Sequence, residues 1–234
     1  MVSIAAALPQ NSGLLQDLLH LLSQPLTTVH CALELSLTEG EAERAEDVVI
    51  ALEQTDRVIE AVRLMGEYLE SEEGRFVGEP FPLGLATENA LERSSLLAEA
   101  RGRRLFAWGA STAAIPVRSV WLQRALSYLI ALLVESEPAN RAIVVLLEDG
   151  VSQSFISAHS LPGSSSLDDR SKDQLSNRPL KSTRDANTRR QAKLEIARHV
   201  LESSGATLEF YPDPRPGFII RLPRFRSHLS EIPA

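Results

Sequence analysis

The chain has 234 residues, 44% of them hydrophobic and 24% charged, with a formal net charge of -7. That is enough for a real core in one large or two small domains, and a sequence pI near 5.3 disfavours a nucleic-acid-binding surface. The single cysteine, Cys31, excludes an internal disulfide and a cysteine-rich metal site; it is expected to be a small buried apolar residue.

Residues 1–13 read as an N-terminal extension, with Asn11 or Ser12 as the N-cap of a first helix reaching about Leu37. Leu15, Leu18, Leu22, Pro25, Val29 and Ala32 step by three and four residues, as a bundle seam does. Leu19, Leu26 and Leu33 lie beside that seam and widen it. His20 points roughly opposite, into water, at about 100° per residue. Pro25 costs about 3 kcal/mol inside a helix and weakens the preceding turn, which begins near His20. His30 is expected to be partly packed.

A turn at Thr38 to Glu41 leads to a second helix, expected from Ala42 to Glu70. Val48, Leu52, Thr55, Ile59, Val62, Gly66 and Leu69 alternate spacings of four and three, and the other faces carry charges that read as solvated. Residues 14–73 therefore form a helical hairpin. A lone hairpin cannot cover both apolar stripes, whereas two copies in a four-helix bundle do, which predicts a symmetric homodimer.

Residues 74–226 change character. A helix is expected from Leu85 to Arg101, a strand at Arg104 to Trp108, an extended piece at Ile115 to Val117 and an apolar helix at Trp121 to Glu135. Two apolar runs, Arg141 to Glu148 and Gln153 to Ala158, flank the hairpin signal Asp149-Gly150. Residues 160–190 are polar and read as a mobile, lid-like loop, with Arg170, Lys172, Arg178, Lys181 and Arg184 as solvated charges. A helix at Gln191 to Ser203 and strands at Thr207 to Tyr211 and Phe218 to Leu222 follow, and residues 227–234 read as a tail. Trp108, Trp121 and Phe155 are expected in the core.

The run His20-Leu-Leu-Ser-Gln-Pro-Leu-Thr27 resembles the phosphoacceptor box of sensor histidine kinases, usually His-Glu-Leu-Arg-Thr-Pro-Leu-Thr, in which Leu21 stands where the family has Glu or Asp. Ala98-Glu-Ala-Arg-Gly-Arg-Arg-Leu105 resembles a helix exit and strand of the family's ATP-binding domain. Ile196 to Glu202 with Gly205-Ala-Thr-Leu208 is similar to its last helix and turn, and Phe218 to Pro223 to its closing strand. The resemblance covers roughly residues 14 to 223. It implies an α+β fold: a two-helix hairpin forming a dimeric four-helix bundle, followed by an α/β sandwich of the histidine-kinase ATPase type.

The resemblance also marks what is missing. The asparagines that hold magnesium and phosphates fall at Tyr128 and Leu132. The aspartate that bonds adenine falls near His159, in a stretch continuing through Leu161 to Pro162-Gly163. The glycine box that opens the last helix reads Gln191-Ala-Lys193-Leu194, and side chains there block close approach to phosphate. No nucleotide-binding residue, metal ligand or cofactor is therefore expected in this chain.

His20 remains, and a phosphoacceptor imidazole needs to be exposed and neutral to attack phosphorus. The expected function is a phosphorelay protein, similar to bacterial histidine phosphotransferases of kinase-like build. It would pass phosphoryl groups between His20 and receiver-domain aspartates of response regulators, with Ser23, Gln24, Pro25 and Thr27 as contact or positioning residues and magnesium supplied by the receiver. The alternatives are an active histidine kinase, which would need ATP and magnesium, and a pseudokinase regulator; a sensor kinase is a further candidate partner. No apolar run reaches the roughly 18 residues of a membrane span, and no signal peptide is evident, so a cytoplasmic protein without membrane contact is expected.

Overall fold

The computed structural model describes residues 11–36, 41–136, 141–162, 184–211 and 217–223. These form α1 (Asn11–Ser36), α2 (Glu41–Glu72), β1 (Val77–Pro82), α3 (Leu83–Ala100), β2 (Arg104–Gly109), β3 (Ala114–Val117), α4 (Ser119–Ser136), β4 (Arg141–Asp149), β5 (Gln153–Pro162), α5 (Arg184–Ser203), β6 (Thr207–Tyr211) and β7 (Gly217–Pro223). The chain divides into two compact units. The first holds α1, α2 to Glu70 and α5 to Ala192; the second holds the remaining elements and α5 from Lys193.

In the first unit each long helix carries two apolar stripes. On α1 the buried stripe is Leu14, Leu18, Leu21, Pro25 and Ala32. The expected seam shares Leu18, Pro25 and Ala32 with it, but Leu15, Leu22 and Val29 are only half-buried, and Leu19, Leu26 and Leu33 are exposed. The burial axis is thus rotated toward Leu14 and Leu21. On α2 the buried side is Ala51, Ala61, Leu64 and Tyr68. The expected α2 seam lies on the other side: Val48, Leu52, Ile59, Val62 and Leu69 are all exposed in the single chain. Periodicity identifies such stripes but not which one the chain itself covers. Cys31 and His30 are corrections too. Both are exposed, and His30 Nδ1 lies 3.5 Å from Glu34 Oε2.

The start of α5 completes this unit. The polar composition of 184–190 suggested loop, yet these residues are helical and tied to the hairpin by charge. Arg184 Nη2 lies 2.7 Å from Asp17 Oδ1 and Arg189 Nη1 3.3 Å from Glu60 Oε2. Thr188 between them is buried. The rest of the expected loop from 163 to 183, the expected N-cap side chains and the tail lie outside the described residues.

The second unit is built on a five-stranded sheet of order β2-β4-β5-β7-β6, in which β2 and β4 are parallel and the other pairs antiparallel. Strand alternation sorts its side chains. Ile143, Val145, Leu147, Ile156, Ala158, Phe218, Ile220 and Leu222 are buried on one face. The apolar sides of α3, α4 and the later part of α5, including Ala90, Leu126, Ile130, Ile196 and Val200, supply the rest of this core. The opposite face is only partly covered: Phe155 is half-buried, and Trp108 on the edge strand β2 is 74% exposed, so neither is the core residue expected. Trp121 is buried, edge-on to Phe76 with centroids 5.1 Å apart. A separate ribbon pairs β1 with β3, and β1 has no counterpart in the strands expected from sequence.

The turn after β4 is stapled by one carboxylate. Asp149 accepts hydrogen bonds from Ser111 Oγ at 2.6 Å, Thr112 N–H at 2.8 Å, Ser154 Oγ at 2.8 Å and Thr112 Oγ1 at 2.9 Å. Desolvation pushes its pKa up, but these donors outweigh that and hold the carboxyl well below the usual carboxylate range. Gly109, at φ 84°, lets the chain turn toward this staple, since a Cβ there would sit 2.1 Å from the Leu147 carbonyl oxygen.

Candidate functional site

The histidine region is shaped by its proline. Pro25 has no N–H, so the carbonyl of Leu21 receives no helical bond from it. Hydroxyls crowd the same turns: Ser23 Oγ donates to the Leu19 carbonyl at 2.8 Å, Thr27 Oγ1 to Ser23 at 3.0 Å and Thr28 Oγ1 to Gln24 at 3.2 Å. Such back-bonding bends helices. Pro25 itself is buried and shapes α1 from within.

On the outer side of this turn His20, Ser23, Gln24 and Thr27 are all exposed. Gln24 Nε2 lies 3.0 Å from His20 Nε2. A carboxamide nitrogen only donates, so His20 Nε2 presents its lone pair and the ring proton belongs on Nδ1. Nε2 is therefore the ring nitrogen without the proton. The sequence suggested that these residues cluster but not this bond. Leu21, where the resembling family has an acid, is 2% exposed and turned inward.

The positions that the resemblance assigns to nucleotide lie in α4, β5 and α5. Tyr128 is buried and Leu132 half-buried in α4. His159 lies on the less covered sheet face, paired with Val144 and Gly217, and stacks on Tyr211 with centroids 5.8 Å apart. Leu161 and Gln191 are exposed. Lys193 Nζ sits 3.3 Å from Glu135 Oε1 of α4, with side chains only 14% and 19% exposed. A phenol, a leucine and a paired ammonium supply neither carboxamide oxygens nor open backbone. Among the described residues at these positions Gln191 alone carries a carboxamide, and none is a carboxylate or a glycine. The Glu135 partner of Lys193 had no signal in the sequence. No cluster of three or more His, Cys, Asp or Glu suited to a metal occurs among the described residues. Nor does any described helix have the length and apolarity to cross a membrane.

No protein-family model and no curated protein matches the sequence. Solved structures do match its fold. The histidine kinase AdeS of Acinetobacter baumannii superposes with a TM-score of 0.59 at 13% identity, covering 88% of this chain and 98% of that one. The histidine kinase ThkA, in its complex with the response regulator protein TrrA, superposes with a TM-score of 0.62 at 14% identity, covering 92% of this chain and 62% of that one. The chain has the histidine-kinase fold.

Proposed function

We propose that this chain is a phosphorelay protein of two-component signalling that passes phosphoryl groups between His20 and receiver-domain aspartates of response regulators. One contrast carries the reading: an exposed, Gln24-oriented His20 stands on a histidine-kinase fold whose nucleotide positions hold Tyr128, Leu132 and the Lys193–Glu135 pair. The ThkA complex with TrrA supports receivers as the partner class.

The transfer needs little from this chain beyond an aimed nucleophile. The Gln24 carboxamide releases the Nε2 lone pair of His20, which attacks the phosphorus of a receiver aspartyl phosphate. The Nε2–P bond forms as the P–O bond to the aspartate breaks, and the carboxylate leaves with that electron pair. Nδ1 keeps its proton during the step. The reverse reaction returns the group to a carboxylate. Ser23, Gln24 and Thr27 lie where a docked receiver would touch, and magnesium comes with the receiver.

Two copies make up the working unit. The uncovered stripes Leu19, Leu26, Leu33 and Leu52, Ile59, Val62, Leu69 need an apolar partner, and a second hairpin supplies one of matching period.

An active kinase is the second reading, favoured by the near-complete coverage of AdeS. Incubation with a radiolabelled phospho-receiver and, separately, with ATP and magnesium tests both. Label moving from the receiver to wild-type protein but not to His20→Ala supports phosphotransfer. Acid-labile label on His20 from ATP establishes the kinase instead. Signalling that survives His20→Ala leaves a non-phosphorylated pseudokinase regulator.

A further inference from the structure

Asp17 precedes His20 by three residues, so their side chains stand on neighbouring turns of one side of α1. His20 thus stands between Asp17, one turn before it, and Gln24, one turn after it, whose side chain meets Nε2 at 3.0 Å. Into the turn of Asp17 reaches Arg184 from α5, its Nη2 donating to Asp17 Oδ1 at 2.7 Å. The arginine is presented by a fixed support. Thr188, one turn on, is buried and its Oγ1 donates to the Arg184 carbonyl at 3.1 Å, and Arg189 is anchored on Glu60 of α2. The Arg184 side chain itself is 73% exposed, so its guanidinium has room to turn.

We propose that Arg184 binds the phosphoryl group carried on His20, and that Asp17 holds it ready beside the acceptor until that group arrives. The proposal rests on the phosphotransfer reading above. In the unmodified chain the Asp17 carboxylate neutralises the guanidinium. A phosphoryl group on Nε2 brings up to two negative charges and three acceptor oxygens to the adjacent turn. A guanidinium offers a planar fork of donors that suits phosphate better than one carboxylate oxygen does. Arg184 then shifts from Asp17 toward the phosphoryl oxygens. Because Arg184 belongs to α5, this exchange also makes the contact between α5 and the hairpin depend on whether His20 is loaded.

The test uses phosphoramidate as donor on the full-length chain. His20 Nε2 attacks its phosphorus, the Nε2–P bond forms, the P–N bond breaks, and ammonia leaves with the electron pair. Phosphorus-31 NMR then follows the titration of the phosphoryl group on His20. A nearby guanidinium favours the dianion. Arg184→Ala therefore moves the midpoint up by about 0.2–0.7 pH units, the scale of an exposed ion pair, and slows labelling about two- to fivefold. Arg184→Lys recovers part of both. Asp17→Asn leaves Arg184 in place and removes the competing carboxylate, so it moves the midpoint down. Identical midpoints in wild type, Arg184→Ala and Asp17→Asn overturn the assignment of Arg184 while leaving His20 as acceptor. Absence of label on wild-type His20 overturns both readings.

Discussion

Gln24 donates a hydrogen bond to Nε2 of His20 across one turn of α1, at 3.0 Å. The bond occupies the Nε2 lone pair of the resting ring and favours the ring proton on Nδ1. Replacing Gln24 with Ala removes this bias. An exposed neutral hydrogen bond contributes about 0.5–1 kcal/mol, and it is given up when Nε2 attacks phosphorus, so labelling of His20 by a phospho-receiver does not slow and speeds up by at most about two- to fivefold. Gln24→Glu slows it, because a carboxylate accepts from Nε2–H and places the proton on the attacking nitrogen. Nitrogen-15 spectra of the histidine ring read the tautomer directly. An unchanged tautomer in Gln24→Ala contradicts the role given to this bond.

The Asp149 staple predicts a pH dependence of stability. Its carboxyl pKa in the folded chain lies below the ordinary value of 3.8. The native state thus holds this proton less tightly than the unfolded chain does. The stabilisation is fully present above about pH 4 and is lost as pH falls below it. Asp149→Asn swaps one acceptor oxygen for a donor, facing either the Ser111 and Ser154 hydroxyls or the N–H and hydroxyl of Thr112. It costs about 1–2 kcal/mol at pH 7, toward the low end because the carboxylate is exposed. Urea unfolding at pH 7 and pH 3 checks this, and the gap between variant and wild type narrows at the lower pH.

Much of this architecture is legible in the residues. The four-and-three spacing from Val48 to Leu69 marks a helix with an apolar stripe, and Asp149-Gly150 marks the β4–β5 turn, where Gly150 N–H donates to the Gln153 carbonyl at 2.8 Å. The sequence fails where one pattern serves two partners. Each hairpin helix has two apolar stripes, and spacing does not say which one its own chain covers. It fails again at Arg184-Asp-Ala-Asn-Thr-Arg-Arg190, which has almost no apolar side chains, so helical periodicity has nothing to act on. That stretch is held by ion pairs such as Arg184–Asp17, 167 residues apart. Trp108 misled for another reason: an edge strand on a partly covered face exposes an aromatic that composition alone assigns to the core.

Lys193 of α5 and Glu135 of α4 form an ion pair at 3.3 Å. Both side chains are mostly buried, at 14% and 19% exposure. Glu135→Gln leaves the ammonium with a weaker acceptor and costs about 1–3 kcal/mol in urea unfolding. A double substitution, Glu135→Met with Lys193→Met, recovers most of that, since apolar replacement of a buried pair is often neutral. Lys193→Gly alone creates no ATP site, because Tyr128 and Leu132 still offer no carboxamide. Calorimetry with magnesium and millimolar ATP is expected to stay flat for this variant, and a clear binding isotherm contradicts the account of these positions.

The exposed stripes of α1 and α2 make the strongest demand on a second copy. Leu52 and Ile59 are 62% and 60% exposed in the single chain, two turns apart on one side of α2. Burying such a side chain contributes about 1.5–3 kcal/mol. In a symmetric bundle each substitution acts in both subunits. Leu52→Glu or Ile59→Glu therefore raises the dimer dissociation constant at least about tenfold per subunit affected. The hairpin's own core is untouched by either change, so helical content stays close to wild type. Ala61, 1% exposed on the opposite side of α2, is the contrasting position: Ala61→Glu places a charge inside the single chain and lowers its unfolding midpoint. Sedimentation equilibrium with circular dichroism on the three variants separates the two faces. If Leu52→Glu and Ile59→Glu sediment as wild type does, the stripe is not a dimer surface.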